Sequence, residues 1–268
     1  MNTTNILSLG FQRQDIRLIF SMFRMNLNDK YLGSLLGTAW VVIQPLLLLG
    51  MYTFIFGFVF KARLPGADTK LSYAIWLISG LVPYFLISES LMNTTNCVIT
   101  NSSLVKNVIF KTEILPLASS LIAFVPFLAG MIFLFILLLI DGNYPTWHII
   151  LLLPVAALQL IFVAGIGLFL GSTAVFVRDL REIMPTVTLF ILFFTPILYP
   201  MEIMPRVIQR ITFFNPFYQA VKPYQDILVH HRTPNWGGIV YLIILSGFLI
   251  IAGLGYFRKL KGYFEMAL

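Results

Sequence analysis

"FVRDLREIMPTVTLFILFFTPILYP", residues 176–200, sets Arg178, Asp179, Arg181 and Glu182 close together and then runs uncharged from Ile183 to Pro200. A charged side chain at the centre of a bilayer is costly, so an apolar run that stops abruptly at charge has the form of a membrane-crossing segment. Cutting the whole chain at its charged residues leaves uncharged stretches at 31–60, 71–88, 114–140, 142–177, 183–201 and 233–257. Each reaches the roughly 17–25 residues that a spanning helix needs. The expected fold is therefore an all-α integral membrane protein, one transmembrane domain over 1–268. Its six helices are expected at 32–60, 71–91, 114–140, 147–176, 183–200 and 234–257.

Composition agrees. The chain has 268 residues, 59% hydrophobic and 11% charged, with a mean hydropathy of +0.89. A soluble domain carries about 25% charged residues and could not keep this much apolar surface from water. The net charge of +7 does not point to nucleic acid, because the basic residues sit between apolar segments, as at membrane edges. One cysteine, Cys97, rules out an internal disulfide and a cysteine-built metal site. No cleavable signal peptide is expected, since the first 30 residues lack an apolar core and hold Arg13, Arg17, Arg24 and Lys30.

Basic residues also orient the chain. Arg13, Arg17, Arg24, Lys30, Lys106, Lys111, Arg178, Arg181, Arg258, Lys259 and Lys261 fall on one side. Lys61, Arg63, Lys70, Arg206, Arg210, Lys222 and Arg232 fall on the other. The larger group predicts that both termini are cytoplasmic.

Three segments outside the spans carry pattern. In 1–31, Ile16, Ile19, Phe20, Phe23 and Leu27 share one face of a helical wheel, and Arg17, Ser21, Arg24 and Asn28 share the opposite one. That is a helix lying in the head-group plane with its apolar side down. The cytoplasmic linker 92–113 contains "SSLVKNVIFKTEILP", with Ser102 or Ser103 as the expected N-cap. It alternates Leu104, Val105, Val108, Ile109 and Phe110 with Lys106, Asn107 and Lys111, as a short amphipathic helix would to fit a docking groove. The exterior segment 200–232 is long and proline-punctuated, yet apolar at Ile203, Met204, Val207, Ile208, Ile211, Phe213, Phe214 and Phe217. It reads as short re-entrant helices broken at Pro205, Pro216 and Pro223, a form tolerated only where protein or a water-lined cavity satisfies the backbone.

The residues leave out an energy source. Neither Glu89 nor His148 has an ionisable partner in its span, which disfavours an ion-coupled carrier. No GxxxxGK followed by Ser or Thr occurs, so no phosphate cradle is encoded, and neither HExxH nor GxSxG is present. His230 and His231 form a lone pair in a loop, and no metal site is expected. Work has to come from a partner, or the chain is passive.

In order, the basic amphipathic start, "YLGSLLGTAWVVIQPLLLLGMYTFIFGFVF", "NSSLVKNVIFKTEILP", "VFVRDLREIMPTVTLFILFFTPILYP" and "FNPFYQAVKPYQDIL" resemble the permease subunit of ABC-2 type exporters. The branch they resemble exports lipid-linked polysaccharide such as O antigen, capsule or teichoic acid. The resemblance covers essentially the whole chain. It implies a permease homodimer in the bacterial inner membrane with two copies of an ATP-binding subunit beneath it. ATP and Mg would be bound by that partner, and this chain would carry no cofactor and no catalytic residue. It implies a coupling helix with Ser103, Lys106, Asn107, Phe110, Lys111 and Glu113, and an interface helix with Arg17, Phe20 and Arg24. It implies an exterior gate with Pro205, Asn215, Pro216 and Phe217, and a tunnel for the glycan between the two permeases. A sliding polymer needs weak grip at many points, which rings supply. Trp40, Tyr52, Phe56, Tyr84, Phe190, Phe194 and Tyr199 are the tunnel candidates, with Tyr52/Phe56 and Phe190/Phe194 four apart and on shared faces.

The opening cluster then reads as the turn between the fourth and fifth helices. Arg178 and Glu182 have helical ion-pair spacing, and Asp179 and Arg181 are left to reach neighbouring subunits or a pyrophosphate linker. Two other readings stay open at the level of sequence. One is an exporter of a drug or small lipid on the same scaffold. The other is an intramembrane transferase, for which Asp141 and His148 are the nearest candidates.

Overall fold

A computed structural model describes residues 13–30, 33–59, 71–108, 110–144, 146–201 and 204–268. The basic residues Lys61, Arg63 and Lys70, and also Ile109, Pro145 and Ile203, lie outside them. The described residues form helices joined by short turns, with no strand among them. They are α1 (Arg13–Asp29), α2 (Trp40–Thr53), α3 (Ser72–Thr100), α4 (Ser102–Asn107), α5 (Ile114–Ile122) and α6 (Phe124–Ile140). After these come α7 (Leu152–Thr173), α8 (Asp179–Phe194), α9 (Arg206–Phe213), α10 (Pro216–Leu228), α11 (Trp236–Leu260) and α12 (Phe264–Ala267).

Among the described residues, five stretches are long and apolar enough to cross a membrane: Gly37–Phe56, Ser72–Thr100, Ile114–Ile140, Trp147–Thr173 and Trp236–Ala267. The chain is a multi-pass membrane protein. α5 and α6 make one span that breaks at Ala123, because Pro126 has no N–H to give to the carbonyl of Ile122.

α3 is the axis of the bundle, packed by α2, α5, α6, α7, α8 and α10. At 29 residues it is about 43 Å long, well beyond the ~30 Å of hydrocarbon. The expected end at 91 is thus corrected. Residues 92–100 of the presumed linker continue the helix, with Thr94, Thr95, Cys97 and Val98 buried. Polar "NTTN" is tolerated there because its side chains bond back along the helix. Thr94 Oγ1 donates to Ser90 O at 2.8 Å and Thr95 Oγ1 to Leu91 O at 2.7 Å. Gly167 and Gly171 of α7 supply the room. A Cβ on Gly167 would meet Thr94 Cγ2 at 2.7 Å, and one on Gly171 would meet Cys97 Sγ at 3.0 Å. Small residues four apart let two membrane helices approach closely. The same helix meets α11 where a Cβ on Gly165 would lie 2.8 Å from Leu249 Cβ.

The two apolar clusters divide the molecule along its length. The larger one surrounds α3 along most of its length. The smaller one gathers the terminal end: Met22 of α1, Cys97 and Val98 of α3, Ile114 and Leu115 of α5, Phe257 of α11 and Phe264 of α12. The first and last described helices therefore meet at one end of the bundle.

The fifth expected helix, 183–200, is shorter than sequence suggests. α8 begins earlier, at Asp179, and stops at Phe194. Its 16 residues cover about 24 Å. Residues 195–200 continue without helix, and Thr195 and Ile197 are fully buried. Irregular backbone is stable in such a place because the protein encloses it. Tyr73 Oη donates to Leu198 O at 2.8 Å, and Ile197 packs on the bare backbone of Gly80.

The 200–232 segment holds two helices, as its prolines suggest, with one correction. Pro205 is the N-cap residue of α9 and Pro216 opens α10, but Pro223 lies inside α10 without breaking it. Almost every side chain of α10 from Tyr218 to Leu228 is buried against α3, α7 and α11, and that packing outweighs the hydrogen bond Pro223 cannot make.

Candidate functional site

The terminal end carries the expected docking segment. α4 is a helix of six residues whose N-cap is Asn101, with no side-chain cap from Ser102 or Ser103. Asn101 Nδ2 instead donates back to Cys97 O at 2.8 Å, so the turn is fixed from the α3 side. The six expected coupling residues split into two groups. Ser103, Lys106 and Asn107 are exposed. Phe110 packs on the terminal cluster, and Lys111 and Glu113 turn to partners within the chain.

Lys111 Nζ donates to Asp15 Oδ2 at 2.6 Å, tying the linker to α1. Glu113 is 2% exposed, and its Oε1 accepts from Arg258 Nε and Lys261 Nζ, both at 3.1 Å. Burial alone would raise the Glu113 carboxyl. Its own backbone amide, Lys261 and Arg258 outweigh that and hold it below the usual carboxylate range. The Glu113 clamp joins the α4–α5 connection to the last spanning helix. Sequence reading did not pair these residues, which lie more than 140 positions apart; its only signal was an acid beside a span in a basic end.

α1 differs from the single-faced reading. Met22 is buried, and Leu18 and Ile19 pack on the terminal cluster, while Ile16 and Phe20 (61% exposed) face away from the protein. The apolar arc is wide enough to serve two surfaces, one against α5 and one outward. Arg17 and Arg24 remain exposed.

The opening charge cluster is corrected at one pair. Arg178 stands at the N-cap of α8, and no ion pair joins it to Glu182. Asp179 and Glu182 occupy the first turn of α8, where the helix dipole favours negative charge. Arg178, Asp179 and Glu182 are exposed, and Arg181 is half-buried with Nε unpartnered.

The aromatic candidates also divide. Tyr52 and Phe56 stack at 6.1 Å and 14°, and the row continues through Tyr73 to Trp76 with centroids 5.7 Å apart at each step. Trp40 is half-buried. Phe190 and Phe194 share a face at 6.2 Å and are 58% and 72% exposed. Tyr84 is buried, its hydroxyl spent on Thr188 O at 2.8 Å, so it ties α3 to α8. Tyr199 Oη donates to Phe193 O at 2.6 Å.

At the far end α9 and α10 form a V. Its tip, Phe214–Pro216, is fastened to the bundle through backbone and neighbouring side chains while the Phe214 ring stays exposed. Tyr241 Oη donates to Phe214 O at 3.0 Å, and Phe217 meets Phe162 edge-on at 5.7 Å. Asn215 caps α10 by accepting from Phe217 N at 2.9 Å, and its Nδ2 reaches Thr195 Oγ1 at 3.3 Å. α10 is then locked by a buried polar chain that sequence reading missed. Tyr224 Oη donates to Gln159 Oε1 at 2.6 Å, and Gln159 Nε2 donates to Pro83 O at 2.7 Å. An amide deep in the apolar run 142–177 was the available signal. Asp226, buried in α10, accepts from Arg232 Nη2 at 2.7 Å. α9 keeps Val207, Ile211 and Phe214 exposed.

No hydrogen bond or ion pair joins the transferase candidates Asp141 and His148 among the described residues. His148 Nδ1 pairs with Thr146 Oγ1 at 3.0 Å and its ring stacks on Trp147. Asp141 ends α6. His231 reaches Asn143 Oδ1 at 2.5 Å.

A close-packed helical bundle, with the short helix α4 anchored at one end and the α9–α10 pair at the other, is the architecture of a multi-pass membrane protein. Comparison with known proteins narrows the class. The ABC-2 type transporter family model matches residues 17–229, and the chain belongs to that family. It is 27% identical over 245 residues to the O-antigen export system permease protein RfbA of Klebsiella pneumoniae, covering 91% of this chain and 92% of that one. It is 26% identical to the protein of the same name from Myxococcus xanthus, covering 92% and 94%. The polysialic acid transport protein KpsM of Escherichia coli is 21% identical, covering 93% and 95%.

Proposed function

We propose that this chain is the permease half of an ATP-driven exporter that carries lipid-linked polysaccharide out of the cytoplasm. The end-to-end likeness to chains named as O-antigen export permeases carries the reading. Two copies form the path in the inner membrane, and two ATPase subunits, which bind ATP and Mg, dock beneath them. The exposed side of α4, with Ser103, Lys106 and Asn107, is the docking surface. It is held by the Asp15–Lys111 pair and the Glu113 clamp, so force on it reaches α1, α5 and α11 together.

α8 with residues 195–200 makes the sixth crossing. The clustering of Met22 with Phe264 supports this, because five crossings would leave the two ends on opposite sides. With the positive-inside bias, both termini are cytoplasmic and the α9–α10 V is an exterior re-entrant gate. The glycan slides over the exposed rings of α8 and the half-buried rings of α2, its apolar C–H faces on the aromatics and no charge to stall it.

The test is a strain lacking this chain. Surface glycan is lost, and returns with the wild-type chain expressed together with its ATPase. Purified with that ATPase, the pair hydrolyses ATP faster when lipid-linked glycan is added. Persisting surface glycan, with accumulation of small hydrophobic compounds instead, overturns the glycan reading.

A further inference from the structure

Where α1 ends, the bundle contains two adjoining cavities of about 320 and 290 Å³, which share Lys30 and Ile122. The first lies between α2, α3 and the α5–α6 span and is mostly apolar, lined by Val41, Pro45, Leu48, Phe85 and Met92. The second lies under α1 and carries more polar side chains among an otherwise apolar lining, with Asn26, Asp29, Asn93, Asn96 and Asn101 bordering it. At their junction Lys30 Nζ forms an ion pair with Glu89, and Asn93 Nδ2 donates to Glu89 Oε1 at 3.3 Å. The Asp29 carboxylate makes no ion pair among the described residues.

Polar side chains set into a membrane bundle are costly unless they meet partners. Here they open onto an apolar slot, so the cleft is matched to a molecule with one polar and one greasy end. Its charge decides which. One cation and two carboxylates give the lining a net −1, which disfavours a purely anionic head group. A head group with a phosphate and an ammonium is complementary to both signs. A primary ammonium has three N–H donors, enough for Glu89, Asp29 and the Asn26 side-chain carbonyl; a quaternary ammonium has none. The C-terminal turn of α1, with no basic residue in it, adds the negative end of its dipole.

We propose that this cleft binds a phospholipid of the surrounding leaflet with a phosphoethanolamine head group. Lys30 bridges Glu89 and the phosphate, the ammonium lies between Glu89 and Asp29, and the start of one acyl chain lies along Leu48 and Phe85. The site is distinct from the export path of the preceding section, which runs over α2 and α8 rings, and does not depend on the identity of the cargo.

The test is native mass spectrometry of the purified full-length chain, delipidated and then mixed with phosphatidylethanolamine, phosphatidylcholine or phosphatidylglycerol of identical acyl chains. One phosphatidylethanolamine is retained at least fivefold over the other two. The Asp29→Asn/Glu89→Gln variant loses that preference. Because it also removes the Lys30 ion pair, a second variant is needed: Leu48→Trp, which fills the apolar slot from a partly exposed position. It abolishes retention while leaving the thermal midpoint unchanged. Equal retention of the three lipids, unchanged selectivity in both variants, or displacement by a polyprenyl phosphate at equal concentration overturns the proposal.

Discussion

Glu113 shows how one residue acquires a role from neighbours that are distant in sequence. Its carboxylate holds two charge-assisted hydrogen bonds, each worth about 1.5–3 kcal/mol in general. Lys261 is 42% exposed, so water returns part of that value. Glu113→Gln is expected to cost about 2 kcal/mol at pH 7, read as a lower thermal midpoint of the purified chain. The pH dependence follows from the lowered pKa. A carboxylate whose folded pKa lies below its unfolded value contributes fully above the unfolded value, and loses that contribution as pH falls through the folded one. The gap between wild type and variant should be constant from pH 6 to 8 and should close below the ordinary carboxylate range. A gap that widens on acidification would contradict the clamp. In the variant complex, ATP hydrolysis should persist while export falls, because the α4–α5 connection is no longer tied to α11.

At the scale of elements, two contacts decide how the helices meet. Gly167 leaves no room for a methyl group, with Thr94 Cβ at 2.8 Å and Cγ2 at 2.7 Å from the position it would take. Gly167→Ala should destabilise the chain by about 1–3 kcal/mol. Adding Thr94→Ala should recover only part of the loss, since the Thr94 Cβ position stays occupied; full recovery in that pair of variants would argue against the Cβ contact as the cause. The Tyr224–Gln159–Pro83 chain behaves differently. Gln159→Leu strands the buried Tyr224 hydroxyl, at about 1–3 kcal/mol. With Tyr224→Phe added, both polar partners are gone and the penalty should shrink. A double-mutant cycle on thermal midpoints tests this sub-additivity. The helical pattern of α10 was legible from Asn215 and Pro216, but the stability of Pro223 within it was not, because that depends on burial by three other helices.

For the whole molecule, the proposed contacts with other chains fall on the Arg178–Glu182 charge cluster and the exposed side of α4. Arg178→Glu with Arg181→Glu should leave membrane insertion intact and reduce export at least tenfold; normal assembly and export would reduce the cluster to a topogenic stop. Cys97 is buried and is the sole cysteine, so Ser103→Cys offers one accessible thiol. That thiol should cross-link to the ATPase subunit in the purified complex, whereas Phe217→Cys, at the other end of the bundle, should not.

Sequence alone determined the class, the approximate positions of five apolar spans, the amphipathic start, the short helix after residue 101 and the proline-framed helices near 205 and 216. These follow from the cost of placing charge in hydrocarbon and from local backbone preference, which are written in neighbouring residues. Tertiary structure decided the rest. It prolonged α3 through a polar linker, because Gly167 and Gly171 let its threonines bury. It stopped α8 at Phe194, because enclosed backbone needs no helix. It drew Glu113 to Arg258 and Lys261 and Gln159 to Tyr224. In each case the deciding partner lies tens to more than a hundred residues away, and pairing of that kind depends on which helices the bundle places side by side.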